Sequence, residues 1–274
     1  MKERVTLPDF KKLWRDHVLA SQSLRMKDDS AEQDFWKAFM KTRSYSPDAS
    51  SRQVLAYLTP IFEELGIETA LEFGPGWGNY TLDLAKLCRE VASVDISQDV
   101  LDFILQTGRE HDFENLRGIH SKWEDFVPDR KYDLVFGYNC FYRHADLAAC
   151  FRKMNDSANT LCVVGMNTGL APRWVHDLEE AGGKVSWEWK DYVYFPGVLY
   201  QMGIDANVRI LPFEKQLSYE NEETLVSGEL RRCGVSDVNP TLAAPILRKY
   251  FTEEADGSFH AAAHFRSAVV WWQP

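Results

Sequence analysis

Leu71-Glu72-Phe73-Gly74-Pro75-Gly76-Trp77-Gly78-Asn79-Tyr80-Thr81 is the stretch that decides the fold of this 274-residue chain. An apolar run from Thr69 to Phe73 carries the carboxylate Glu72 and ends in a glycine-rich turn. A helix-like segment, Tyr80 to Leu87, follows at once. Strand, tight loop and helix in that order are how an open α/β sheet builds a crevice for a nucleotide-like ligand. Glycines there let the backbone approach a ligand closely and take φ angles that other residues resist. The spacing of Gly74, Gly76 and Gly78 is G-x-G-x-G. The dinucleotide fingerprint, G-x-G-x-x-G, would need a glycine at position 79, where Asn79 stands. Pyrophosphates bind at bare helix N-termini; Glu72, two residues before the first glycine, repels a pyrophosphate and suits a ligand with an ammonium group.

Val91-Ala92-Ser93-Val94-Asp95-Ile96 is the next strand, again ending in an acid. A carboxylate at the tip of the second strand can accept hydrogen bonds from both hydroxyls of a ribose. Asp95 stands at about the 20-residue distance expected beyond a glycine loop. Ribose is common to several cofactors, so Asp95 marks the crevice without choosing its ligand. Capping of the following helix is the other role open to it.

The chain is long enough for one large domain, or a core plus a lid. It is 45% hydrophobic and 26% charged, which predicts a packed globular core. Lys plus Arg number 31 and Asp plus Glu 41, a net charge of −10. Such acidity disfavours binding to a phosphate backbone, so no nucleic-acid partner is expected. No run of about 18 apolar residues exists, so no membrane span is expected. With charges throughout Met1 to Lys12 and no apolar stretch there, no secretion signal is expected. The cysteines, Cys88, Cys140, Cys150, Cys162 and Cys233, are odd in number and show no C-x-x-C pair; His260 and His264 are spaced H-x-x-x-H, with only alanines between them. The cysteine pattern predicts reduced thiols in a cytoplasmic protein and no structural metal.

Apolar and aromatic residues recur at helical spacing over Phe10–Leu19 and Ala31–Met40, and a helix from about Ala49 to Leu65 is expected to stop at Gly66. Phe35, Trp36 and Phe39 fall on one face, as a helix packed on a core requires. Strands at Thr69–Phe73, Glu90–Asp95, Leu116–His120, Tyr132–Tyr138 and Thr160–Met166 alternate with helices at Tyr80–Cys88, Gln98–Gly108 and Ala145–Met154. Alternation of this kind predicts a parallel sheet with helices on both faces. The segment from about 170 to 222 breaks the pattern, being rich in aromatics (Trp174, Trp187, Trp189, Tyr192, Tyr194, Phe195, Tyr200) and in turn signals. It reads as a lid inserted near the crevice. Asn207–Phe213 and Phe259–Trp272 are candidate strands, and Glu220–Cys233 a helix capped by Gly234.

With Glu72, Gly74, Gly76 and Gly78 in E-x-G-x-G-x-G order, the glycine stretch resembles motif I of the class I S-adenosylmethionine (SAM)-dependent methyltransferases. SAM has a sulfonium, an α-amino group and no phosphate, so the carboxylate fits. The resemblance runs from about residue 68 to 166 and implies a Rossmann-like, doubly wound α/β sheet, mostly parallel, with an antiparallel C-terminal edge. It implies that Glu72 serves the methionine amino end, that the glycines pass beneath the cofactor, and that Asp95 and Ile96 meet ribose and adenine. After the third strand, Ser121-Lys122-Trp123-Glu124-Asp125-Phe126 stands where the family often has G-D-A-E-D-L. Lys122 replaces an acid there, while Trp123 and Glu124 are candidate neighbours of the ring. Asn139 falls at the methyl-donor end, and Asn139 with Tyr142 resembles the N-P-P-Y motif of amino-group methyltransferases without its prolines. Tyr142 and His144 are the candidate bases. In related enzymes an N-terminal segment folds over SAM, which makes Tyr45 and Arg43 candidate cofactor contacts.

The expected organisation is a helical N-terminal cover (1–60), a SAM-binding Rossmann-like core (61–169), a lid or substrate insertion (170–222) and the C-terminal part of the core sheet (223–274). The expected function is transfer of a methyl group from SAM to a small-molecule acceptor by in-line displacement. Two other functions stay open at this point: a non-catalytic SAM-binding or regulatory protein, and an NAD(P)-dependent oxidoreductase on a similar sheet.

Overall fold

A computed structural model describes residues 7–21, 23–168, 171–185 and 192–274. Leu170, Trp187 and Trp189 of the aromatic-rich segment lie outside the described residues. In chain order the helices are α1 (Phe10–Ala20), α2 (Leu24–Lys27), α3 (Asp29–Met40), α4 (Ala49–Glu64), α5 (Thr81–Leu87), α6 (Gln98–Glu110), α7 (Leu147–Ser157), α8 (Arg173–Glu180), α9 (Tyr194–Gln201), α10 (Glu222–Arg232) and α11 (Pro240–Leu247). The strands are β1 (Thr69–Phe73), β2 (Glu90–Asp95), β3 (Leu116–His120), β4 (Tyr132–Tyr138), β5 (Ala158–Thr168), β6 (Lys184–Val185), β7 (Asn207–Tyr219), β8 (Val235–Ser236), β9 (Thr252–Glu253) and β10 (Phe259–Trp272).

The chain divides into two compact units. The first comprises residues 1–167, 191–211 and 267–274; the second comprises 168–190 and 212–266. The central sheet runs β3-β2-β1-β4-β5-β10-β7, with β9 paired to β10. Pairs β1/β2, β1/β4, β2/β3 and β4/β5 are parallel. The sheet is mostly parallel with an antiparallel edge, as the sequence predicts. The strand order reverses between β1 and β4, which is where a doubly wound sheet opens a crevice at its carboxyl end.

In the first unit the central strands β1 and β4 are buried on both faces, as the middle of a helix-covered parallel sheet must be. The period of two sorts their side chains cleanly. Leu71, Phe73, Ala92, Val94, Val135, Cys162 and Val164 face a core completed by Trp14 of α1, Phe151 of α7 and Phe195 of α9. Ala70, Val91, Leu134, Phe136, Leu161 and Val163 face the other core, closed by Val54, Leu58 and Phe62 of α4 and Leu84 of α5. Helix α4 ends at Gly66, whose φ is +63°. That is the left-handed cap for which glycine is suited.

In the second unit, helices α8, α10 and α11 bury Trp174, Leu178, Leu225 and Leu247 with Leu217, Phe259 and Ala263. Strands β6 and β8 form a separate antiparallel pair. Glu229 is fully buried and is held by Trp174 Nε1 (2.8 Å), by both Nε (2.8 Å) and Nη2 (2.6 Å) of Arg232, and by the hydroxyl of Tyr219. A buried carboxylate needs that degree of pairing to stay ionised.

The sequence places segment boundaries at 169/170 and 222/223, while the compact units change over at 167/168, 190/191, 211/212 and 266/267. Residues 171–185 and 212–222 belong to the second unit, together with 223–266. Residues 192–211 belong to the first, because Phe195, Val198 and Leu199 of α9 are core residues there. Helices α8 and α9 also stand in a segment read only as aromatic-rich and turn-rich. The polar stretch between the first two expected helices carries the short helix α2.

Candidate functional site

A cavity of ≈ 320 Å³ lies in the first unit, lined by the loops after β1, β2, β3 and β4 and by helices α2 and α3. The size falls at the lower end of the range for small-molecule sites. Glu72, Gly74, Gly76, Asp95, Ile96, Trp123, Glu124, Asn139, Tyr142 and His144 all line it. Gly78, Tyr45 and Arg43 are not among its lining residues.

The glycine turn is built by backbone strain that only glycine tolerates cheaply. Gly74 has φ +62° and its N–H donates to Val94 O at 2.9 Å, tying the turn to β2. A Cβ on Gly74 would lie 2.4 Å from Cys140 Cβ. Gly76, at φ +56°, faces the ring of Trp36, whose Cη2 would be 3.2 Å from an added Cβ. Gly78, at φ +78°, closes the turn through its N–H to Pro75 O. Asn79 stands where a dinucleotide site would have glycine. It is used instead to pin the loop: its Oδ1 accepts from the backbone N–H of Asp48, the N-cap of α4, at 2.8 Å.

Glu72 is 2% exposed, and its Oε2 accepts from Thr81 Oγ1 at 2.7 Å and Ser93 Oγ at 3.3 Å. Burial pushes its carboxyl up to about 7; the two hydroxyls pull it down, and the charge of Asp95 raises it further. Asp95 is also buried, and its Oδ1 accepts from Ser97 N at 2.8 Å. Burial raises it to about 7 as well, against the lowering hydrogen bond from Ser97, with Glu32 raising it and Arg143 lowering it. Two such carboxylates are costly to ionise in an empty cavity and become stabilising opposite a cation.

Trp123 stacks on Phe73 with ring centroids 4.4 Å apart and an interplanar angle of 19°. Glu124 Oε1 meets His144 Nδ1 at 2.8 Å. Burial alone would raise Glu124, but the hydrogen bond and charge of His144 bring it down to about 2. Asn139 takes φ +55°, and its Oδ1 accepts from Asn167 N at 2.7 Å, so its side chain shapes the end of β4. Burial holds the Cys140 thiol well above its usual range, which disfavours the thiolate.

The Tyr142 hydroxyl donates to Glu32 and accepts from Arg25 Nη2 at 3.2 Å. Burial, with the negative charge of Glu32, raises its pKa. A phenol held as a donor in this way is badly placed to take a proton from a substrate, contrary to its reading as a base. Glu32, 1% exposed, also accepts from Arg25 Nε at 2.8 Å and Trp36 Nε1 at 2.8 Å. Burial alone would raise its pKa; the hydrogen bonds from Arg25 and Tyr142 outweigh that and lower it. Asp29 pairs with Lys122 Nζ at 2.9 Å and with Arg143. Trp36, which the sequence assigns to ordinary core packing, lines the cavity instead.

Arg43 lies over the ring of Trp77 at 4.7 Å and over Phe39 at 5.4 Å. Tyr45 packs edge-on against His111, 5.6 Å between centroids. Neither side chain lines the cavity, although burial and the nearby charges of Asp83 and Glu72 push the Tyr45 phenol up to about 12.

Residues 70–159 match the family model described as a methyltransferase domain. An uncharacterized protein of Haemophilus influenzae is 23% identical over 231 residues, covering 79% of this chain and 81% of its own. Among solved structures, the YcgJ protein of Bacillus subtilis matches with a TM-score of 0.53 at 12% identity, over 81% of this chain and 98% of its own. A proposed methyltransferase of Bacillus halodurans C-125 matches with a TM-score of 0.54 at 13% identity, over 80% and 97%. Likeness at that identity speaks to fold, and the family match covers the strands and loops that build the cavity. Residues 70–159 are thus similar to a methyltransferase domain, and the chain shares the fold of these solved structures.

Proposed function

We propose that the protein transfers a methyl group from SAM to a small-molecule acceptor, with the cofactor held in the cavity of the first unit. One observation carries this reading: Glu72, Asp95 and the Gly74–Gly76 turn, from two adjacent strand ends, face one cavity. A sulfonium and an ammonium match two buried carboxylates, whereas a pyrophosphate would meet repulsion. SAM supplies, when bound, an already activated methyl carbon.

Asp95 would accept the ribose hydroxyls and Ile96 would pack on the base. Glu72 would sit beneath the amino-acid end. Glycine at 74 and 76 keeps side chains out of the floor of the site. The remaining task is to hold the acceptor atom about 3 Å from the methyl carbon, in line with the leaving sulfur, and to exclude water. Where the acceptor atom carries a proton, His144 is the group suited to take it. Glu124 holds its Nδ1, which fixes the tautomer and leaves Nε2 as the acceptor. Asn139, Trp123 and Tyr142 would shape the walls.

The acidity of the chain and the modest cavity support a small acceptor. Incubating the protein with methyl-labelled SAM and separated cell fractions tests this. Label in the low-molecular-weight fraction is expected; label found only in protein or nucleic acid would overturn it.

A further inference from the structure

Helix α3 brings a carboxylate to the end of the cavity that lies beyond Asp95. Asp29, the first residue of α3, lines the cavity together with Ile96, Ser121 and Lys122. Its Oδ2 accepts from Lys122 Nζ at 2.9 Å, and its Oδ1 accepts from the guanidinium of Arg143. The hydrogen bond from Lys122, with the charges of both cations, outweighs burial and keeps the carboxyl below its usual range. Asp29 is therefore a fixed, acceptor-only group. An ionised carboxylate has about four lone-pair sites, and two are taken. Arg143 Nη1, beside it, is buried without a hydrogen-bond partner among the described residues, a group that a polar ligand atom would complete.

A nucleoside whose ribose sits on Asp95 has two substituents that leave the sugar in opposite directions. The chain on C5′ runs toward Glu72 and the glycine turn. The base on C1′ then occupies the end formed by Ile96, Ser121, Lys122 and Asp29. In the loop after β3, Lys122 is a donor and Glu124 Oε1 is paired with His144, whereas Asp29 is held against Lys122 itself. We propose that Asp29, supplied by the N-terminal helices, accepts the exocyclic amine of the bound purine and so selects adenosyl over 6-oxo ligands. This rests on the SAM reading of the cavity. A 6-oxo purine would turn an acceptor toward Asp29, which disfavours it unless its oxygen turns instead to Lys122 or Arg143.

Calorimetric titration with S-adenosylhomocysteine and S-inosylhomocysteine tests the assignment on wild type, Asp29→Ala and Lys122→Gln. Wild type should prefer the adenosyl ligand. Asp29→Ala should cut that preference at least about tenfold, the worth of one hydrogen bond to a charged group. Lys122→Gln breaks the ion pair but leaves the acceptor, so it should weaken both ligands together and keep the ratio. Melting curves identify any variant that fails to fold; Asp29→Asn then replaces Asp29→Ala. An unchanged adenosyl-to-inosyl ratio without Asp29 would overturn its role and leave the SAM reading standing. A ratio that collapses equally in Lys122→Gln would overturn it too, by showing that only the bridge matters. Wild type binding neither ligand would overturn the SAM reading and this assignment with it.

Discussion

Asp95 is the residue on which cofactor binding should depend most directly. Two ribose hydrogen bonds to a charged group are worth about 1.5–3 kcal/mol each. Asp95→Ala should therefore weaken SAM binding by about a hundredfold or more by calorimetry. It should change the melting temperature of the free protein far less, since loss of the hydrogen bond from Ser97 N is offset by removal of a carboxylate that burial disfavours. The protonation of Asp95 and Glu72 gives a second check. Both are held near 7 in the folded protein, far above an exposed carboxyl. The native state thus binds more protons than the unfolded chain between about pH 4 and 7, so these groups make stability fall as pH rises through that window. A bound cation reverses the preference for the neutral form. SAM binding near pH 6.5 should release protons, read as a dependence of the binding enthalpy on the buffer's ionisation heat, and the release should vanish by about pH 8.5. Glu72, Asp95 and the glycines were legible because their chemistry is written in contiguous sequence at strand ends. Asp29, Glu32 and Trp36 were not, because they reach the cavity from helices whose pattern is that of any amphipathic segment.

The turn after β1 is the element that links sequence to site. Gly74 is needed there twice over, for its positive φ and for the absence of a Cβ against Cys140. Gly74→Ala should destabilise the protein by about 2–4 kcal/mol, from backbone strain and overpacking together. Gly203 is the control. Its φ is +80°, but nothing lies within 4 Å of an added Cβ, so Gly203→Ala should cost only the backbone part, about 1 kcal/mol. Chemical denaturation of the two variants separates the effects. The strand boundaries of the sheet were readable from apolar runs, and Phe259–Trp272 was matched end to end by β10. The pinning of the turn to α4 through Asn79 and Asp48 was not. A lone asparagine after a glycine gives no sign of a partner 31 residues away.

At the scale of the whole molecule, the chain builds two compact units, and the cavity belongs to the first. A ligand that binds only the native state stabilises by RT ln(1 + [L]/Kd), about 2.7 kcal/mol at a hundredfold excess over Kd. S-adenosylhomocysteine at that level should raise the melting temperature. Hydrogen exchange should slow in α2, α3 and the loops after β1 to β4, and stay unchanged in α8, α10 and α11. The alternation of strands and helices made the first unit legible from residue 69 onward. The second unit was harder, because its described helices α8 and α11 are eight residues each. At that length a helical period barely repeats. Helix α9 was read with the aromatic insertion for the same reason, although its buried face serves the first core.

Calorimetric titration of the purified protein with SAM, S-adenosylhomocysteine and NADH is the most direct test of the cavity's ligand. Binding of the first two, without heat from NADH and with loss of affinity in Asp95→Ala, is the expected result. Binding of NADH alone, or SAM affinity unchanged in Asp95→Ala, would contradict the assignment of this cavity to SAM.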